Sequence, residues 1–231
     1  MKLDKNTPRI LGGAFLLQII APIISSAFLL GPLIVPDNIS ESMTNIANNA
    51  LQLQASIVVE MFTVFGITTI GVLMYVILKE QDTKVATLAL GLYIVEAAIL
   101  AVSKIPIYAL LVVSRESVIM GHPTNLLALG ELFYELQSYG YSLHMLPFAL
   151  GASLFYYLFY KSGYIPKALN ILGLIAAPLA FFGTLFSLIG FTVPIAVFIL
   201  NLPFELGLGL WLIFKGISEE EVTESSPSGH D

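Results

Sequence analysis

The chain contains no cysteine, and only 11% of its 231 residues are charged. The missing cysteine excludes a small secreted domain stapled by disulfides, but it says nothing about redox compartment. The shortage of charge is more telling. Soluble domains carry about 25% charged residues, so this chain has less than half the usual means of hydrating a folded surface. Positive charge is scarcest: ten Lys+Arg against sixteen Asp+Glu leave a net −6, which excludes a nucleic-acid binder. Familiar catalytic signatures are also missing. No H-E-x-x-H, G-x-S-x-G, Walker A or G-x-G-x-x-G pattern occurs, which disfavours a dedicated zinc peptidase or serine hydrolase. The histidines are His122, His144 and His230, and only His144 falls within an apolar run, so bis-histidine haem ligation within one chain is excluded.

What is present is apolar. A hydrophobic content of 57% and a mean hydropathy of +0.87 exclude a disordered chain and describe one that dissolves in lipid. A membrane-spanning helix needs roughly 20 apolar residues, because only a helix satisfies its own backbone in hydrocarbon. Six stretches qualify: 10–35, 55–78, 85–113, 141–160, 168–190 and 192–214. The first follows Lys2, Lys5 and Arg9, yet its apolar run far exceeds the roughly 7–15 residues of a signal-peptide core, so it reads as a retained span. The fold class is therefore an all-α polytopic membrane protein, a six-helix transmembrane bundle in the cell membrane. Residues 1–217 form its single domain, and 218–231 form an acidic, disordered cytoplasmic tail.

Basic residues set the orientation, because Lys and Arg are held on the cytoplasmic side. Lys2, Lys5, Arg9, Lys79, Lys84, Lys161, Lys167 and Lys215 fall on one face and Arg115 on the other, which places both termini inside. Two outer connections are amphipathic. Ile39, Met43, Ile46, Ala50 and Leu53 recur at helical spacing, as do Leu126, Leu129, Phe133 and Leu136 after a Gly121-His122-Pro123-Thr124 start. Both read as interfacial helices or as lids. Tyr134, Tyr139 and Tyr141 at the outer boundary, and Tyr156, Tyr157, Tyr160 and Tyr164 at the inner one, read as aromatic belts. Gly173, Ala177, Ala180, Thr184 and Ser187 form a small-residue stripe suited to close helix packing.

Against this background Glu60, Glu96, Lys104, His144 and Glu205 stand out, with Asn201 one turn before Glu205 and Tyr93 on the stripe of Glu96. Four buried charges of this kind would cost on the order of 10 kcal/mol unless paired or hydrated. Glu96 lies roughly 17 Å from one end of its span and Glu205 roughly 20 Å from one end of its own, so both are near the midplane. Lys104 is eight residues from Glu96, roughly 12 Å along the helix, so its better partner is Glu60. Three carboxylates against one ammonium leave a surplus that His144 offsets only in part, so a carboxyl group must hold a proton or a cation. Glu60, Glu96, His144 and Glu205 could also make a mixed N/O metal site, though no spacing is diagnostic of it.

The order of landmarks carries a resemblance. Glu60, Gly91 with Ile94 and Glu96, His144, Leu154-Phe155-Tyr156-Tyr157, Ile165-Pro166, Leu172-Gly173-Leu174, and Pro203 with Glu205 ahead of Trp211 run in sequence. From Thr7 to Gly216 the chain resembles the prokaryotic membrane family catalogued as domain of unknown function 4386. In that family's pattern an arginine commonly stands three residues before the third-span glutamate; this chain has Tyr93 there, and Lys104 could supply the charge. The resemblance implies no activity. Three functions stay open: proton- or cation-linked binding or transport of a small solute, an intramembrane enzyme acting on a lipid or apolar substrate, and a non-catalytic membrane or partner-binding protein. The lipid bilayer is the expected partner, with a small-molecule or lipid ligand.

Overall fold

The computed structural model describes residues 6–217, so the basic Lys2 and Lys5 and the expected tail 218–231 lie outside the described residues. All regular structure among the described residues is helical, in the order α1 (Asn6–Ile24), a π-helical turn (Ser25–Leu30), a 3₁₀ turn (Gly31–Leu33), α2 (Ile39–Asn48), α3 (Ala50–Leu78), α4 (Thr83–Val102), α5 (Lys104–Ile119), α6 (Thr124–Ser162), α7 (Lys167–Leu188), α8 (Ala196–Ile199) and α9 (Asn201–Phe214). Taking helices that follow one another directly as one, six are long and apolar enough to cross a membrane.

The fourth and sixth spans depart from the hydropathy reading in extent. The fourth was expected over 141–160, preceded by a separate amphipathic segment, but α6 is one helix of 39 residues. At about 1.5 Å per residue it is about 58 Å long, more than the roughly 40–45 Å of a bilayer with its headgroups. Hydropathy marks where a helix is apolar, whereas backbone hydrogen bonds continue until a cap or a proline ends them, here at Pro123. The sixth span is broken rather than uniform: residues 192–195 are not helical, and Leu200 separates α8 from α9.

The residues fall into two compact units. Within the described residues the first holds 6–16, Thr69–Leu92 and 149–217, and the second holds Leu17–Thr68 and Tyr93–Phe148. In the first unit helices approach closely at glycines. A Cβ on Gly12 would stand 2.5 Å from the Gly209 carbonyl oxygen, and one on Gly173 would stand 2.7 Å from the Phe204 ring. Gly173, Ala177, Ala180 and Thr184 of the small-residue stripe are buried, as packing requires, whereas Ser187 is exposed. Asp82 caps α4, its Oδ1 accepting from the Lys84 and Val85 amides at 3.0 and 3.1 Å, and Lys161 Nζ donates to the Gln81 carbonyl at 2.7 Å.

In the second unit α2 is amphipathic, but its apolar face meets protein. Met43 and Ile46 are fully buried against Ile107, Leu110 and Leu111 of α5. Asn38 caps α2: its Oδ1 accepts from the Glu41 amide at 3.1 Å while its Nδ2 donates to Glu41 Oε2 at 2.9 Å. Asn38, which with Ile39 and Ser40 also matches a glycosylation sequon, therefore has its side-chain amide engaged in the cap. At the far end of α5, Gly121 and His122 adopt positive φ of 75° and 61°. The His122 ring then reaches Ser117 Oγ at 3.2 Å and Thr44 Oγ1 at 3.4 Å, tying the α5–α6 turn to α2.

Candidate functional site

The site lies in the second unit and is built from two interruptions of helical backbone. The first follows Pro22, which lacks an amide hydrogen and frees a carbonyl one turn back. Three residues later the backbone winds into the π turn, closed by the Gly31 amide donating to the Ser26 carbonyl. A Cβ on Gly31 would collide with that same carbonyl, so glycine permits the closure. Helix α3 braces the turn. Gln52 Nε2 donates to the Leu29 carbonyl at 2.9 Å, and Ser25 Oγ donates to the Ser56 carbonyl at 3.3 Å.

The second interruption is at Ser103, three residues before Pro106, where α4 ends and α5 begins. Ser103 Oγ donates to the Leu100 carbonyl at 2.6 Å, meeting an acceptor inside the break. Gly140 of α6 sits against this point: a Cβ there would be 2.6 Å from the Ser103 Cβ. The break sets Lys104, 7% exposed, with its Nζ 3.2 Å from Glu60 Oε2 on α3, the pairing that the span arithmetic favours. Lys104 Nζ also lies over the Tyr141 ring, 5.7 Å from its centroid. The His144 ring packs edge-on against Tyr141 at 4.7 Å, and its Nδ1 is bonded to the Tyr141 carbonyl. A carbonyl only accepts, so Nδ1 carries the hydrogen, and in the neutral ring the lone pair is on Nε2.

Between the π turn and the ion pair is a cavity of about 400 Å³. Its polar wall consists of Glu60, Lys104, Ser25, Ser26, Ser56 and Gln137; Ile23, Leu30, Ile57 and Ile107 form the apolar side. Tyr141, 44% exposed, also lines it. The volume is that of a small-molecule site, and a few convergent polar groups on an apolar wall are what such sites present.

Of the residues expected to form a polar pocket, Glu60 and Lys104 line this cavity. Tyr93, Glu96 and His144 belong to the same unit and are buried, but they lie outside the lining. Asn201 and Glu205 belong to the first unit. There both are buried, and Asn201 Nδ2 donates to the Ala176 carbonyl at 3.2 Å. Tyr93, Glu96 and Glu205 are each engaged by a neighbour. Among the described residues no three His, Asp or Glu side chains are gathered so as to hold a metal ion, and the set of Glu60, Glu96, His144 and Glu205 gains no support as a metal site.

Composition alone misses several contributors. Tyr141, read as a belt residue, lies beneath Lys104, and its spacing of three from His144 on one helix is the available signal. Ser25 and Ser26 are marked only by Pro22. Tyr156, also read as a belt residue, is fully buried with its ring 4.2 Å from that of Phe204, so it belongs to the packing of the first unit.

Regular structure that is all helical among the described residues, with six helices long and apolar enough to cross a membrane, marks the class as a multi-pass membrane protein. The chain belongs to the family described as Domain of unknown function (DUF4386), whose model matches residues 10–216. No curated protein and no solved structure matches it.

Proposed function

We propose that this protein binds a small solute in the cavity beside Glu60 and Lys104 and moves it across the cell membrane together with a proton or cation. The observation that carries this reading is a buried ion pair on the wall of a ligand-sized cavity. Coupling to a cation is part of the proposal because Glu96 and Glu205 are buried carboxyl groups within apolar helices, and acidic side chains in such places mark proton relays and ion pathways.

Two further features support the reading. The chain divides into three spans and three spans, and the third of each half is interrupted three residues before a proline, at Ser103 and at Leu200. Interrupted helices at corresponding places in two halves are a mark of secondary transporters. Arg9, Lys79, Lys84, Lys161, Lys167 and Lys215 stand at one set of alternate span ends, and Arg115 at the other. That asymmetry supports an orientation with both termini in the cytoplasm and the turns around α2 and His122 outside.

Proteoliposomes containing an internal pH dye test the proposal with a panel of small solutes added outside. The expected result is solute-dependent acidification with the wild-type chain that drops to the empty-liposome level in Glu96→Gln and Glu205→Gln. Acidification equal with and without protein overturns it.

A further inference from the structure

The cavity of the second unit narrows its own ligand, an inference that rests on the solute-binding reading above. We infer that it takes an apolar α-amino acid in zwitterionic form, with the carboxylate on Lys104 and the ammonium on Glu60 and the serine oxygens. Three observations lead there.

The first is charge. Glu60 and Lys104 together are neutral, and a ligand of net charge would leave one buried charge without its counterpart. A zwitterion laid antiparallel over the pair alternates the signs and keeps the sum at zero. The second is spacing. The two protein charges are 3.2 Å apart, so the ligand's charges must be close as well, as they are when both groups sit on one carbon. A molecule with its ammonium and carboxylate at opposite ends of a chain meets only one partner. The third is hydrogen-bond polarity. Ser25 Oγ donates to the Ser56 carbonyl at 3.3 Å, Ser26 Oγ to the Ile23 carbonyl at 3.4 Å, and Ser56 Oγ to the Leu53 carbonyl at 2.7 Å. All three hydroxyls donate to backbone, which leaves their oxygens as acceptors on residues that line the cavity. With Glu60 they suit an ammonium group, which has three donors and no acceptor. Lys104 has three donors of its own, and its contacts with Glu60 and the Tyr141 ring engage at most two of them, which leaves a donor for a carboxylate. The side chain of the amino acid then lies along Ile23, Leu30, Ile57 and Ile107.

Binding of tritiated norleucine to the full chain in nanodiscs tests the inference, with 6-aminohexanoate, hexanoate and hexylammonium as competitors. 6-Aminohexanoate has the same atoms as norleucine with the charges moved apart. Norleucine is expected to bind, and unlabelled norleucine to compete at least about tenfold better than any of the three others. Glu60→Gln is expected to weaken it by more than about tenfold, since one side of a buried charge contact is lost. Lys104→Met alone leaves Glu60 buried without its counterion, so the neutral pair Glu60→Gln/Lys104→Met is the control that keeps buried charge balanced; it is expected to fold and to lose norleucine binding. Better competition by hexanoate, by hexylammonium or by 6-aminohexanoate overturns the ligand class and leaves the solute-binding reading standing. If norleucine does not bind and none of the three, labelled in turn, binds either, while no solute acidifies the proteoliposomes, the solute-binding reading falls with it.

Discussion

The two proline breaks share one design and differ in what is built on them. In each, the chain leaves the helix three residues before a proline, at Ser103 ahead of Pro106 and at Leu200 ahead of Pro203, and the next residue is polar and buried, Lys104 or Asn201. In the second unit the break presents a charge to a cavity and is matched by Glu60. In the first unit the residues after the break are filled in: Phe204 packs on Tyr156 at 4.2 Å and fits the space left by Gly173. A proline break in a membrane helix is therefore not itself a site. It frees backbone and bends the chain, and the neighbours decide whether the opening becomes a cavity or a contact.

The contrast is broken most severely by removing the charge. Lys104→Met leaves Glu60 buried without its counterion, and loss of one partner of a buried pair costs about 3–5 kcal/mol. The double variant Glu60→Gln/Lys104→Met is expected to recover most of that loss in SDS-unfolding titrations. If the single and the double variants are equally unstable, the pair is not what holds the second break.

The corresponding loss at the first break is smaller for a reason peculiar to lipid. Phe204→Ala exposes no more apolar surface to water on unfolding within the membrane, so the transfer part of a large-to-small substitution drops out and the cavity part is left, about 2 kcal/mol. Gly173→Ala with wild-type Phe204 is expected to destabilise as well, while Gly173→Ala in the Phe204→Ala background recovers part of the loss by refilling the space. The same unfolding titrations measure it, and additivity of the two changes would count against contact between Gly173 and Phe204.

How much of this was legible follows the same division between chemistry and backbone. The spans could be read because their solubility in lipid is a sum over residues, and the Glu60–Lys104 pair could be read because depth in a span is proportional to residue number. The π turn could not, since Pro22 announces a disturbance without saying whether the chain kinks, tightens or widens. Nor could the role of Tyr141 and Tyr156: a tyrosine near a span end satisfies the belt rule whether its ring is exposed, as those of Tyr157 and Tyr160 are, or packed within the protein, as that of Tyr156 is. The length of α6 escaped because Leu126–Leu136 is amphipathic and Tyr141–Tyr160 apolar, a change of solvent that needs no break in the helix.

Close approach at Ser103 gives a third test, expected at about 1.5 kcal/mol. Gly140→Ala places a methyl group 2.6 Å from the Ser103 Cβ, and overpacking of that kind displaces a helix. Ser103→Gly removes the atom it meets and is expected to relieve the strain, whereas Ser103→Ala, which keeps the Cβ, is not. Norleucine binding in Gly140→Ala is expected to fall as well, because Lys104 adjoins the displaced residue.

The smallest effect separates the two units most finely. Gln52 and Asn201 each donate an amide hydrogen to the carbonyl of another segment, at 2.9 Å to Leu29 and 3.2 Å to Ala176. A polar contact between membrane helices averages only about 0.6 kcal/mol, because the unfolded chain in lipid finds other partners. Gln52→Leu is expected to cost about that much, since it also leaves the Leu29 carbonyl of the π turn without this donor. Asn201→Leu loses the same kind of bond but also removes Asn201 Oδ1, a buried acceptor with no hydrogen-bond partner among the described residues. The two terms oppose each other, so Asn201→Leu is expected to be neutral or slightly stabilising. If Asn201→Leu instead proves the more costly of the two in the same unfolding titrations, its carbonyl oxygen has a donor to lose. The first break would then be a polar site in its own right rather than a packed one.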